Sequence, residues 1–273
     1  MFKTYRSQSP AGFALNLTQQ IFHATVRSIR QKHRSPVMCL LSEMAQSIAL
    51  VAAFILFFQV LGLRSAALRG DFVIYIMTGI FLFMTHNKAV SAVAGAEGPT
   101  SAMMQHAPMN TVITISSAAL GSLYLQTFSM LCILLIYYVV FTPFVIDDPI
   151  WAFLMFLLAW FTGCAVGLLF FAIQPWAPMF TNILRTLYQR ANMIASGKMF
   201  VANTLPSFML AMFDWNPLFH TIDQARGFAF INYNPHNSSI IYPINVGIAL
   251  MALGLIGEYY TRKRASSSWS AKN

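Results

Sequence analysis

Apolar residues along this chain gather into long runs separated by short polar stretches. A run of about 20 apolar residues is what an α-helix needs to cross a bilayer. Five such runs are clear, at 39–61, 72–93, 118–141, 150–173 and 240–260, and each predicts a membrane-spanning helix. A further segment, 178–202, reads "PMFTNILRTLYQRANMIASGKMFVA" and holds Arg185, Arg190 and Lys198. Hydropathy alone scores it poorly. Ahead of the first run, Phe13, Leu17 and Ile21 recur at helical spacing, and Arg27, Arg30, Lys32 and Arg34 close the segment. That pattern predicts an amphipathic helix over 13–34 lying in the membrane interface, in preference to a disordered basic tail.

Composition agrees. The 273 residues are 57% hydrophobic and 9% charged. Soluble domains carry roughly 25% charged residues, so this chain cannot build a water-facing surface. The expectation is an all-α integral membrane protein with little room for a soluble domain. The net charge of +9 is clustered. Lys3, Arg6, Arg27, Arg30, Lys32 and Arg34 precede the first run, and Arg262, Lys263, Arg264 and Lys272 follow the last. The excess of positive charge on cytoplasmic segments puts both ends in the cytoplasm. The number of spans must then be even, so 178–202 is expected to be the fifth of six transmembrane helices. The domains follow: a cytoplasmic tail with interface helix at 1–37, a membrane domain at 38–261 and a basic tail at 262–273. Topology accounts for the basic ends, so no nucleic-acid partner is expected. The opening "MFKTYRSQSPAGF" lacks the apolar core of a secretion leader.

Familiar chemistry is missing. Cys39, Cys132 and Cys164 are isolated within apolar runs, without disulfide or metal-ligand spacing. "SGKM" at 196–199 imitates the end of a phosphate loop, but the required earlier Gly is missing and Met199 cannot ligate magnesium. No zinc-protease or nucleophile-elbow motif occurs, and Asp147-Asp148 before Pro149 reads as a turn. No catalytic residue, metal or cofactor is expected on this chain. Polar groups inside a membrane segment are costly and point to function. Arg185, Gln189 and Asn192, with Tyr188 roughly, share one face of a helix. Arg190, five residues past Arg185, points about 140° away. The shared face suits a polar conduit; the competing reading is that Arg185 snorkels to the surface. His86, Asn87 and Lys88 lie near the inner end of the second run and are expected to snorkel. The cytoplasmic loop 94–110 has room between Gly98-Pro99 and Pro108 for about two helical turns. It reads equally as a docking element or a plain connector.

Several segments together resemble the permease subunits of ABC-2 type ATP-binding-cassette exporters, closest to those that export capsular polysaccharide or O-antigen chains. "RSIRQKHRSP" resembles the family's basic lead-in segment, and "RGDFVIYIMTGIFLFM" its second span, with Tyr75 and Gly79 at its Tyr-x-x-x-Gly spacing. "MMQHAPMNTVITISSAAL" resembles its cytoplasmic coupling segment. "LPSFMLAMFDWNPLFHTIDQARGFAFINY" resembles its most specific pattern, carried by Leu205, Pro206, Asn216, Pro217, Leu218, Asp223 and Arg226. Departures exist. Relatives often carry Leu-Gly-x-x-Trp and Glu-Pro at the first span, where this chain reads "VMCLLSEM" and keeps only Glu43. Their coupling segment often has Asp after its Pro, where Asn110 and Thr111 stand here. These changes leave the substrate subclass open.

The resemblance implies a homodimeric inner-membrane permease moving a long, lipid-linked polysaccharide outward. The alternative is an ABC-2 exporter of a lipid, drug or other small molecule; a membrane-embedded acyl or glycosyl transferase fits less well. It implies two copies of a separate ATPase subunit that hold ATP and magnesium, and periplasmic and outer-membrane export proteins that receive the chain. Arg27, Arg30, Glu97, Gln105, His106 and Pro108 would meet the ATPase. Residues 203–238 would dip back from the outer side as short re-entrant helices. Trp215, Phe219, Phe228 and Phe230 would anchor them at the interface. Asp223 and Arg226, three apart, would pair and neutralise one another. With Trp215, Asn216 and Pro217 they would form an outer gate, or a packing plug that touches no substrate.

Overall fold

Every element among the described residues is helical. The structure, a computed structural model, describes residues 10–32, 35–60, 62, 71–98 and 110–270. In chain order the helices are α1 (Pro10–Lys32), α2 (Pro36–Val60), α3 (Phe72–Ala94), α4 (Thr111–Val140) and α5 (Pro149–Ile173). Then come α6 (Pro178–Ala195), a three-ten turn (Ala202–Thr204), α7 (Ser207–Phe213), α8 (Pro217–Ala229) and α9 (Ile241–Ser270). Five are long and apolar enough to cross a membrane: Val37–Val60, Phe72–Ala94, Thr111–Val140, Pro149–Ile173 and Ile241–Arg264. That is one fewer than expected. The segment 178–202 does contain a helix, but its 18 residues carry too many polar groups to join the five.

Local chemistry sets the ends. Asp71 caps α3 by accepting from the Val73 N–H at 2.8 Å, and Tyr137 near the end of α4 donates to the same carboxylate at 2.5 Å. Asn110 caps α4, accepting from the Val112 N–H at 3.1 Å. This starts α4 earlier than the apolar run suggests. The Thr and Ser residues of its first turns are tolerated because Thr114, Ser117 and Ser122 donate to carbonyls of their own helix. At the far end, α9 runs unbroken through Arg262–Arg264, past the expected start of the tail.

Burial separates the spans into two kinds. The best windows of α3 and α5 are 72% and 67% buried, whereas those of α2, α4 and α9 are 22%, 28% and 22% buried. The core is therefore α3 against α5. They touch closely because Gly163 and Gly167, one turn apart, remove side chains from the contact. A Cβ on Gly163 would lie 2.5 Å from His86 O, and one on Gly167 2.9 Å from Val90 O. These contacts advance together along both helices, so α3 and α5 run parallel. On the other side of α5, Gly247 faces Phe161, Gly254 faces Leu168 and Gly257 faces Ala172. Helix α9 therefore also runs parallel to α5. Two parallel helices in sequence oblige the intervening chain to return along the bundle. That return is made by α6 and the segments after it.

The same registers place the C-terminal ends of α3, α5 and α9 together. Trp176 Nε1 donates to Thr261 Oγ1 at 2.8 Å, and Thr261 Oγ1 donates to Ala172 O at 3.1 Å. Arg27 of α1 lies near Glu97 at the end of α3. Both described basic clusters, around Arg27 and Arg262, thus sit at one end of the bundle.

Candidate functional site

Helix α6 is amphipathic in an inverted sense. Thr181, Arg185, Tyr188, Asn192 and Ala195 recur at spacings of three and four and face the protein. Met179, Phe180, Ile183, Leu187 and Ile194 on the other side are exposed. A polar stripe turned inward and an apolar one outward suit an apolar surrounding. Arg190 is exposed on a different side from Arg185, as the helical spacing requires. Gln189 lies beside the inward stripe.

What the stripe touches is α3. The Tyr188 hydroxyl and His86 Nε2 are 2.8 Å apart. His86 Nδ1 is 3.1 Å from Ala159 O and 3.1 Å from Thr162 Oγ1. Thr162 already donates to Ala159 O, so Nδ1–H is the donor and Nε2 accepts from the phenol. Gln189 Nε2 donates to Asn87 O at 3.2 Å and to Ser91 Oγ at 2.7 Å. At the end of α6, Asn192 Oδ1 accepts from Asn216 Nδ2 at 2.8 Å. Asn216 Nδ2 also donates to Ala195 O at 3.0 Å, while its Oδ1 caps α8 by accepting from the Leu218 N–H at 3.0 Å. One side chain thus fastens α6 to α8, and Pro217 occupies the first turn, where its missing N–H costs nothing.

Beyond α6 the chain turns at Gly197, whose φ of 73° favours glycine. Arg226, 1% exposed, holds this turn. Its Nη1 donates to Gly197 O at 2.9 Å and Phe200 O at 2.7 Å, and its Nη2 donates to Lys198 O at 2.7 Å. The guanidinium lies 4.3 Å from the centre of the Tyr75 ring. A Cβ on Gly79 would lie 2.8 Å from Nη2 and 3.0 Å from Lys198 Cα. The Tyr-x-x-x-Gly spacing therefore has a physical reason: one turn of α3 supplies a ring to stack on and an opening to enter. Lys198 is itself buried, its Nζ 3.4 Å from the centre of the Phe83 ring.

The expected pair between Asp223 and Arg226 is not formed. Arg226 reaches away to the 197–200 turn, while Asp223 accepts from Tyr233 Oη and, at 2.7 Å, from Ser238 Oγ. Each group makes its hydrogen bonds on its own side of α8. The expected aromatic anchors also divide. Trp215 is exposed and Phe228 half-buried, but Phe219 and Phe230 are core residues. Their side chains follow the inward face of α8 and the turn after it.

His86, Asn87 and Lys88 do not snorkel as a group. His86 is fully buried in the contact just described. Lys88 bridges to Glu43 Oε2 at 2.8 Å and donates to Gln46 Oε1 at 2.7 Å, and Gln126 Nε2 donates to the same Glu43 oxygen at 3.0 Å. This three-helix tie was missed in the sequence. Its signal was one acid and one base, each near the same end of an adjacent apolar run. At the basic end, Arg27 and Arg30 are exposed, and Glu97 O accepts from Thr114 Oγ1 at 3.0 Å. Gln105, His106 and Pro108, and the short helix expected there, lie outside the described residues.

The result is a polar seam between α3 and the α6–α8 unit. It runs from Ser91 to Tyr75 along α3, about 24 Å at helical rise. Among the described residues no three His, Cys, Asp or Glu side chains converge as metal ligands would. Compared with known proteins, the chain matches no protein-family model and no curated protein sequence.

Proposed function

We propose that this chain is the membrane subunit of an ATP-driven exporter of the ABC-2 type, with a polysaccharide, lipid-linked, as cargo. The observation that carries the reading is the seam: a continuous row of polar side chains along the inner face of a helix whose outer face is apolar. Transport of a hydroxyl-rich cargo needs such a row, because sugar hydroxyls stripped of water must find other partners. In this reading α6 and the 196–201 turn make the sixth crossing. Support comes from the parallel run of α5 and α9 and from the basic clusters at one end of the bundle, which then faces the cytoplasm. Arg185, Tyr188, Gln189 and Asn192 line the conduit side, with Arg190 at its edge. Trp215, Asn216, Pro217, Asp223 and Arg226 form the outer closure, set in the membrane as re-entrant helices. A second copy completes the path. Two ATPase subunits dock at the basic end on α1 and the 94–110 loop, and periplasmic and outer-membrane proteins accept the emerging chain.

The experiment is a mild-detergent pull-down of the tagged chain from its own host, with companions identified and counted, followed by glycan export in variants. A phosphate-loop ATPase at equal stoichiometry is the expected companion. Asp223→Ala and Arg226→Ala are expected to lower surface glycan. A chain that emerges alone at every detergent strength refutes the exporter reading. Wild-type assembly and export in both variants refutes the closure role.

A further inference from the structure

A cavity of about 410 Å³ lies at the basic end, beside the Ser91 end of the seam, between α1, the C-terminal end of α3 and the N-terminal end of α4. That volume is within the ~300–1,000 Å³ range of small-molecule sites. Its wall is rich in hydroxyls, and the protons of four of them are already used. Ser28 donates to Thr25 O, Thr114 to Glu97 O and Thr111 O, Ser117 to Thr114 O and Ser122 to Ala119 O. What these side chains still offer the cavity is oxygen lone pairs. The wall therefore favours a ligand that brings donors. Two charged residues complete the lining besides Lys88, which is bridged to Glu43: Arg27 and Glu97. Apart from the Lys88–Glu43 bridge, the fixed charges are one cation and one carboxylate, the complement of a zwitterion. The guanidinium has five N–H donors and can hold a phosphate beside any other contact.

The position adds the second half of the ligand. From the cavity wall at Gly121 and Ser122, an exposed apolar stripe of Leu120, Tyr124, Phe128, Leu131 and Leu135 descends along α4. It recurs at helical spacing, and the Tyr124 and Phe128 rings are stacked on it at 6.1 Å. A head group in the cavity would have its acyl chains beside this stripe. We propose that the cavity between α1, α3 and α4 binds a phosphoethanolamine lipid, its phosphate on Arg27 and its ammonium on Glu97 and the hydroxyl oxygens of Thr114, Ser117 and Ser122. The inference is independent of what the seam transports.

The test is native mass spectrometry of the purified, delipidated full chain with defined lipids. Phosphatidylethanolamine is expected to bind about tenfold more tightly than phosphatidylcholine, whose quaternary ammonium has no N–H to donate, and than phosphatidylglycerol, which has no ammonium. Arg27→Gln, at an exposed position, and Ala118→Leu, which fills the cavity, are each expected to weaken that binding about tenfold. Equal binding of the choline lipid overturns the ammonium assignment, and unchanged binding in Arg27→Gln overturns the phosphate assignment. Soluble glycerophosphoethanolamine binding as tightly as the lipid overturns the lipid as source. Should Ala118→Leu fail to fold, the lipid series and Arg27→Gln still decide.

Discussion

Replacing Arg226 by Ala tests the structure most directly. The side chain is buried and gives three hydrogen bonds to carbonyls of the 197–200 turn. Hydrogen bonds from a charged donor contribute about 1.5–3 kcal/mol each, and a stacked ring adds up to about 2 kcal/mol. Against that stands the desolvation of the guanidinium, several kcal/mol, which the substitution relieves. What remains is three carbonyls without their donor, at about 1–3 kcal/mol each, so a net loss of about 3–5 kcal/mol is expected once the relieved desolvation is counted. The loss falls on one place: the turn, with Gly197 in a glycine-favoured conformation and Lys198 buried beside it, has no other clamp of this kind among the described residues. Amide hydrogen exchange of peptides covering 196–201 is the assay. Opening of that segment is expected to accelerate roughly 10²–10⁴-fold, the equivalent of that free energy at about 1.4 kcal/mol per decade. Peptides from α3 and α5 should change far less. A folded Arg226→Ala protein whose 196–201 exchange matches wild type would refute the clamp, and with it the physical reading of Tyr75 and Gly79.

Two further substitutions probe the seam. Tyr188→Phe removes the hydroxyl that donates to His86 Nε2 and leaves that buried nitrogen without this donor; a loss of about 1–3 kcal/mol is expected, read as a lower unfolding temperature in detergent. Asn216→Asp keeps the oxygen that caps α8 but loses the N–H donors to Asn192 and Ala195, whereas Asn216→Ala loses both. Exchange should therefore rise at the end of α6 in both variants, but at the start of α8 only in Asn216→Ala, where the lost cap is worth about 1 kcal/mol; equal exchange at both places in the two variants would show that the bridge does not join them.

The sequence by itself determined the helices. Runs of apolar residues longer than any soluble helix needs placed α2, α3 and α5 to within about three residues and the start of α9, though not its end, and the spacing of Phe13, Leu17 and Ile21 anticipated α1. It also showed that Arg185 and Arg190 point apart, because helical geometry is fixed by the backbone alone. Pro206 and Pro217 marked the breaks before α9. Tertiary structure decided partners. Asp223 and Arg226 are close enough along one helix to pair, yet each found a better site across the fold, and only the position of the 197–200 turn and of Ser238 selects between those outcomes. His86 and Lys88 read as residues reaching for the surface, since a sequence does not say which helix lies beside them; α5, α6 and α2 did. The two glycines at 163 and 167 carried a legible close-packing signal, but that they meet α3 and make it the centre of the bundle follows from the registers. Local periodicity is written in neighbouring residues. Which polar face meets which is a long-range choice, made where buried hydrogen-bonding groups must all be satisfied at once.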